Sequence, residues 1–509
     1  MTARLSPDLP LHDDETAGSY VRRLSLFHSG LPANRLLADL GIDLRAFARG
    51  APQAISSLAE AAGIEVARLM RAVISRSDRC RGFRGEVWSS DFVLLEGRRV
   101  CPVCLREDAP DGEAWRQRGR ILWRLRPVLA CPIHRCALVE RSVPSAAGEL
   151  GRAFPTSREV EFLPMVTECR TPTPLETMIA SRVDDTPTGS GEWLDSQTLE
   201  QSARTCEMIG AVLMFGKKFK ATEMSPSDWS AAGATGFGYA RRGKEGIRAA
   251  FDEMLSIEAS TAGQAGPRSG YGRLYEWLSD TNPTVDFGAI RQMLRGHILD
   301  HFAVKPGEML LGEKVMRRQM HSVHSLAVNT GIHRKRLRKA LVQLGHLNDD
   351  TWDVASHHLV VPAVVAEQIS RDLKESVPLQ LLPELLFCSR TQAESLYRDG
   401  VIEPLLDKDE ESGIGRIAFA RRTIQAFLKC IEALPLVETV RADEFVDLTT
   451  GAKKTGRSTG AIVEGILTGS VKAVRLSGEV GLVRVRVSVG DITALRLEID
   501  RPRPRASIG

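Results

Sequence analysis

Two short knuckles, Cys101-Pro-Val-Cys104 and Cys131-Pro-Ile-His134, decide how this chain reads. Each sets two metal-capable side chains across a two-residue gap. Together they offer three thiolates and one imidazole, the donor set of a closed tetrahedral zinc site. Pro102 and Pro132 fix φ just after the first ligand of each pair, which favours the turn a knuckle needs. The 26 residues between the pairs are a gap that a hairpin bridges. Four protein ligands leave no position for substrate, so the spacing predicts one structural zinc ion on Cys101, Cys104, Cys131 and His134. A thioredoxin-type role for Cys101 and Cys104 needs a βαβ context, and none is visible. Cys80 and Cys136 lie near enough in sequence to compete for the fourth position. Cys169, Cys206, Cys388 and Cys430 are isolated and read as small buried hydrophobes.

The segment around the knuckles is rich in arginine. Nine lie between Arg98 and Arg135, against the acids Glu107, Asp108, Asp111 and Glu113, and Trp115 and Trp123 are interleaved with them. Such a mixture suits a phosphate backbone or stacked bases. It equally suits a solvated surface around a small tryptophan core. Upstream, Asp13-Asp14-Glu15 precede an amphipathic run through Tyr20, Val21, Leu24, Leu26 and Phe27, and read as acids in a helix's first turn. Three adjacent carboxylates are not a metal-sharing catalytic set, whose members come from separate elements. Helical patterns continue over Leu31 to Leu40 and Ile55 to Ile74, with a break at Gly63.

Downstream, from Ser142 to about Ser269, apolar periodicity weakens. Gly238 to Glu245 is a near miss to a phosphate-binding loop: Glu245 stands where a hydroxyl is required. An ordinary loop opening a helix at Ile247 to Leu255 fits better. The second half is sharper. In His321 to Gly345, Val323, Leu326 and Ala327 form one apolar face and Thr330-Gly331 a turn. Ile332, Leu337, Leu341 and Leu344 form a second face. The second helix carries His333, Arg334, Lys335, Arg336, Arg338 and Lys339, a basic start of the kind a DNA recognition helix uses. Leu382 to Leu405 and Leu448 to Thr468 are two further helix-turn-helix candidates. Lys453, Lys454 and Arg457 flank the turn of the last one, and a hairpin of Val471 to Leu476 with Leu482 to Ser488 follows as a wing. Arg501 to Gly509 reads as a basic tail.

The length predicts several domains. We place them at 1–78 (helical segment), 79–145 (zinc ribbon), 146–268 (helical and linker region), 269–350 (first helix-turn-helix), 351–435 (second) and 436–509 (third, with wing and tail). The fold class is mainly α and multidomain, with short β-hairpins in the ribbon and the wing. No run of about eighteen apolar residues exists, which excludes a membrane-spanning helix. Residues 1–10 lack the apolar core of a secretion signal, and nine cysteines do not form a disulfide framework, so the compartment reads as cytoplasm. A net charge of +4 leaves nucleic-acid binding to local patches rather than bulk attraction. His297 with His301, and His321 with His324, have helical spacing but no adjacent glutamate base. No catalytic constellation emerges, and the chain reads as a non-enzyme.

The residues resemble the TniQ family of transposition proteins and their longer TnsD relatives. The resemblance rests on Leu9-Pro-Leu-His-Asp-Asp-Glu15, Ser19-Tyr-Val-Arg-Arg-Leu24, Arg99-Val-Cys-Pro-Val-Cys-Leu105 with Asp108, Trp123-Arg-Leu125, and Ala130-Cys-Pro-Ile-His134 with Leu138. It covers about the first 140 residues, and Tyr271 to Leu278 is similar to the helical part of longer members. It implies a target-selection factor that binds double-stranded DNA, or an RNA-guided complex. Such a factor recruits an AAA+ ATPase, which directs the transposase. It also implies the same four zinc ligands. Some relatives carry a second zinc, for which this chain offers only Cys136 and Cys169. A zinc-ribbon transcription regulator and a pure protein adaptor are the competing readings.

Overall fold

A computed structural model describes residues 4–142, 154–165, 167–187, 189, 191–256, 266–280, 286–348, 355–356, 358–408 and 416–495. The chain divides into two compact units, Met1–Ile298 with Met309–Lys314, and Leu299–Glu308 with Val315–Gly509. Helices dominate both, and every sheet is small. The expected mainly α architecture is what forms. The tail from Arg501 lies outside the described residues.

The first unit begins with the helix Ala17–Ser29. Its cap is Thr16, whose side chain accepts from Ser19 N, and it ends at Gly30 in the left-handed region, where a side chain would be strained. This corrects the expectation for Asp13-Asp14-Glu15, since none of the three lies in the first turn. Tyr20, Val21 and Leu24 pack with Leu37, Ile55, Leu58 and Leu69 from three further short helices. Each such side chain, fully buried, contributes about 1.5–3 kcal/mol. Gly63, at φ 67°, separates Pro52–Ala62 from Val66–Arg71, as its position in the pattern suggests. A three-stranded antiparallel meander follows: Ser75–Arg76, Cys80–Phe83 and Glu86–Ser89.

The stretch with weak periodicity holds two of the longer helices of the fold, Leu199–Phe215 and Pro226–Ala240. They approach through glycine. A Cβ at Gly210 would strike the Ala232 carbonyl, and one at Gly236 the Cys206 carbonyl. Close packing through small residues carries little hydrophobic signal, so periodicity alone misses it. The near-miss phosphate loop is the end of the second of these helices, running into the helix Gly243–Ser256.

In the second unit, Met320–Ser322 pairs antiparallel with Val360–Pro362. These strands frame the helices Val323–Thr330, Arg334–Gln343 and Ala363–Lys374 around Val323, Leu326, Leu337, Leu341, Ile369 and Leu373. A second core is shared by two helix pairs, Leu382–Leu386 with Arg390–Arg398 and Leu448–Thr455 with Thr459–Leu467. It also takes in a four-stranded sheet in the order Leu436–Val437, Ala473–Leu476, Val485–Ser488, Phe445–Asp447. The expected hairpin is its centre, with Ala473 opposite Val487. The two outer strands span two and three residues, too short for alternation to reveal.

Candidate metal centre and nucleic-acid interface

The strand Arg99–Val100 leads into the first knuckle, where Cys101 caps the helix Pro102–Asp108 and its sulfur accepts from Cys104 N. Pro102 occupies the first helical turn, where a missing N–H costs nothing. The second knuckle closes when Cys131 Sγ accepts from His134 N at 3.5 Å. A short strand, Val139–Glu140, then pairs back on Arg99–Val100. No long hairpin bridges the knuckles. The gap holds the knuckle helix and a short 3₁₀ turn at Ile121–Arg124 instead.

The three sulfurs and one ring nitrogen lie within 4.8 Å of one another, and the cysteines are buried. Tetrahedral zinc with Zn–S of about 2.3 Å and Zn–N of about 2.0–2.1 Å needs S···S edges of about 3.8 Å and S···N edges of about 3.5 Å. Here Cys104 Sγ stands 3.7 Å from Cys131 Sγ, and His134 Nδ1 stands 3.5, 3.2 and 3.6 Å from Cys101, Cys104 and Cys131. The cluster fits a tetrahedral cation. Hydrogen bonds from Cys101 and Cys104 hold the Cys131 thiol down to about 2, while the same sharing drives Cys104 far up. Three crowded thiols thus share one negative charge, and a bound dication is what lets all three ionise. His134 Nε2 lies 2.8 Å from a Glu107 carboxylate oxygen. That contact keeps a proton on Nε2 and turns the Nδ1 lone pair into the cluster. Glu107 was not singled out in the sequence, although it sits one helical turn after Cys104.

Cys136 Sγ comes within 3.7 Å of Cys101 Sγ, and its backbone faces Cys169 across an isolated antiparallel bridge. Cys80 lies in the meander and belongs to no such cluster among the described residues.

Most arginines of this segment are engaged within the fold. Arg118 and Arg120 both reach Asp108, at 2.8 and 3.2 Å, and both pair with Asp14. Arg99 donates to the Arg126 and Val128 carbonyls, Arg106 to Leu163, and Arg124 to Leu94. Arg98 and Arg116 pair with Glu140 and Asp111. Trp123 is buried in the knuckle core, and Trp115 packs on Phe27 with centroids 4.7 Å apart. The arginine and tryptophan mixture, open in sequence between a phosphate grip and a solvated surface, forms largely an internal network.

That network joins the first helix to the metal segment. Glu15 and Arg23 pair at 2.7 Å with almost no exposure. Ser19 Oγ donates to Glu15 and accepts from Gly119 N. Thr16 N bonds the Gly119 carbonyl and Ile121 N the Asp14 carbonyl. Burial pushes the Glu15 carboxyl up to about 7, against the pull of Arg23.

One histidine of each pair is held by hydrogen bonds, and Asp252, His297 and His301 bring their ligand atoms within 4.8 Å of one another. His297 Nδ1 lies 2.6 Å from the Tyr271 hydroxyl and Nε2 2.9 Å from Asp252. His321 contacts Ser325 and Glu367.

In the second unit, Ser322 caps Val323–Thr330, Gly331 turns at φ 72°, and His333 caps Arg334–Gln343. Leu337 and Leu341 are wholly buried on the inner face. His333, Arg334, Lys335 and Arg336 are exposed on the other side, and Arg338 and Lys339 are half-buried. The last helix pair differs. Lys453 and Lys454 are exposed, but the Arg457 guanidinium donates to the Leu495 carbonyl at 2.6 Å. The helix Thr459–Leu467 carries no cation. It packs on Arg390–Arg398, with Gly460 N donating to Ser395 Oγ.

Among the described residues, no helix is long and apolar enough to cross a membrane. No curated protein matches the chain. Residues 7–138 match the TniQ family model. They span the Pro7–Leu138 fabric in which the acidic start, the first helix and both knuckles are tied together. Residues 7–138 therefore form a TniQ domain, the mark of a transposition-associated target-selection and adaptor family.

Proposed function

We propose that this protein is a DNA-binding target-selection adaptor of transposition. It holds one structural zinc on Cys101, Cys104, Cys131 and His134, and engages double-stranded DNA through the helix Arg334–Gln343. The observation that carries the DNA reading is the division of that helix. Leu337, Ala340 and Leu341 are buried, while its N-terminal half and cap present His333, Arg334, Lys335 and Arg336 to solvent. A helix anchored by one face and cationic at its free start can enter a groove and neutralise phosphates. Lys453 and Lys454 serve as lesser backbone contacts, because the helix that follows them is committed to packing.

The metal does no chemistry in this account. Its closed ligand set would pin the knuckle helix against the first helix. The TniQ domain then serves as the platform for an AAA+ ATPase and, through it, the transposase, and an RNA-guided complex is a further partner class. A titration of duplex DNA at rising salt tests the reading. Phosphate contacts predict a linear fall of log K with log salt, and a protein-only adaptor gives no binding to lose.

A further inference from the structure

The cations of the basic helix do not all face open solvent. His333, Lys335, Arg336 and Lys339 form one wall of a cleft of about 710 Å³. The other wall is the antiparallel pair Val377–Pro378 and Ala418–Phe419, with Arg416 just before its second strand. Ser376, Leu406 and Ile417 complete the lining, and no described residue lining it is acidic. The second wall is firmly mounted. Ala418 N donates to the Leu406 carbonyl at 2.9 Å, and the Ala418 carbonyl accepts from Leu405 N and Leu406 N. Phe419 is wholly buried one residue further on.

Five basic side chains, brought together from positions about eighty residues apart, line a concavity much larger than one phosphate. A run of negative charges along a chain is the ligand that satisfies both walls at once. Resting on the DNA-binding reading above, we propose that this cleft seats one strand of the duplex's sugar–phosphate backbone. Lys335, Arg336 and Lys339 neutralise it from the helix, and Arg416 clamps it from the opposite side. Arg334 and Arg338 do not line the cleft. Arg334, exposed on another face, is left for contacts outside it, base edges included. Arg416 therefore adds affinity without sequence preference, and it extends the interface beyond the helix pair to a strand distant in sequence.

The test uses the full-length protein, fluorescently labelled duplexes of several sequences, and a salt titration of each variant. Arg416→Ala should reduce the steepness of log K against log salt by about 0.9, the contribution of one phosphate contact. It should weaken binding several-fold and equally on every duplex, and Arg416→Lys should restore the slope. Melting temperature and metal content should not change, since Arg416 is exposed. An unaltered slope for Arg416→Ala overturns the proposal. If that occurs while Arg334→Ala/Lys335→Ala/Arg338→Ala loses slope, only the cleft assignment falls. If the unmodified protein shows no salt-dependent duplex binding, the DNA reading falls and the cleft falls with it. Inorganic tripolyphosphate separates the sources of phosphate. Displacement of duplex no stronger than sodium chloride of equal ionic strength supports a backbone seat. Tight tripolyphosphate binding that depends on Arg416, without duplex binding, overturns it.

Discussion

The metal segment and the basic helix carry the same signal in sequence, a cluster of arginine and lysine, and use it in opposite ways. Between Arg98 and Arg135 most guanidinium groups bond partners within the fold, among them Asp14, Asp108, Glu140 and backbone carbonyls. From His333 to Arg336, and at Lys339, they face solvent or line a cleft with no acid among its described lining residues. What separates the two is the company each cluster keeps. The first alternates with tryptophans and carboxylates over a scaffold with little hydrophobic core, so fixed bonds do the work that packing does elsewhere. The second sits opposite an apolar stripe that anchors its helix, which leaves the cations of its N-terminal half exposed. A basic cluster shows its purpose by whether buried partners accompany it.

Removing the metal scaffold should break the first region most severely. Cys104→Ser is expected to abolish zinc content and to unfold the TniQ domain, because structural zinc in small domains supplies about 10 kcal/mol or more. Elemental analysis and thermal melts read both effects. Retained zinc with an unchanged melt would show that Cys104 is no ligand. Next in size is Glu15→Ala. It leaves Arg23 buried without its partner and should cost about 3–5 kcal/mol in a denaturant titration. A loss below about 1 kcal/mol would place this ion pair with ordinary surface pairs.

Acidity sharpens the same point. The Glu15 carboxyl titrates at about 7 in the fold against an ordinary 4.5, so between these values the folded state binds more protons than the unfolded. Stability should therefore be greatest below pH 4.5 as far as this group is concerned, decline as pH rises to 7, and level off above. The slope is at most about 1.4 kcal/mol per pH unit. Glu15→Gln should flatten that window. An unchanged pH profile in the variant would assign the titration elsewhere.

The cluster of Cys101, Cys104, Cys131 and His134 and the inner face of the basic helix were legible because both are strict local spacings. Cys-x-x-Cys and Cys-x-x-His fix ligands within a turn, and Leu337 with Leu341 fixes a helix face. The burial of Leu326 and Leu337 follows that spacing directly. The acidic start was misread because its partners are remote. Asp14 meets Arg118 and Arg120, and Glu15 sits beside Arg120 in a bridge, more than a hundred residues away. The Leu199–Phe215 and Pro226–Ala240 pair was missed for a different reason, since Gly210 and Gly236 bring backbones together without apolar side chains to signal it. Glu107 escaped because its role depends on His134, which joins it only when the knuckles close. The cleft opposite the basic helix was invisible because Arg416 arrives just ahead of a strand only two residues long.

The most direct measurement sets the two basic regions against each other in one assay. Salt titrations of duplex binding would compare the unmodified protein with Arg334→Ala/Lys335→Ala/Arg338→Ala and with Arg98→Ala/Arg116→Ala, two exposed pairs of the metal segment. The account predicts a slope reduced by up to about 2.7 for the first variant, with zinc content unchanged, and no change in slope for the second. A slope lost from the metal-segment variant and kept in the helix variant would contradict it.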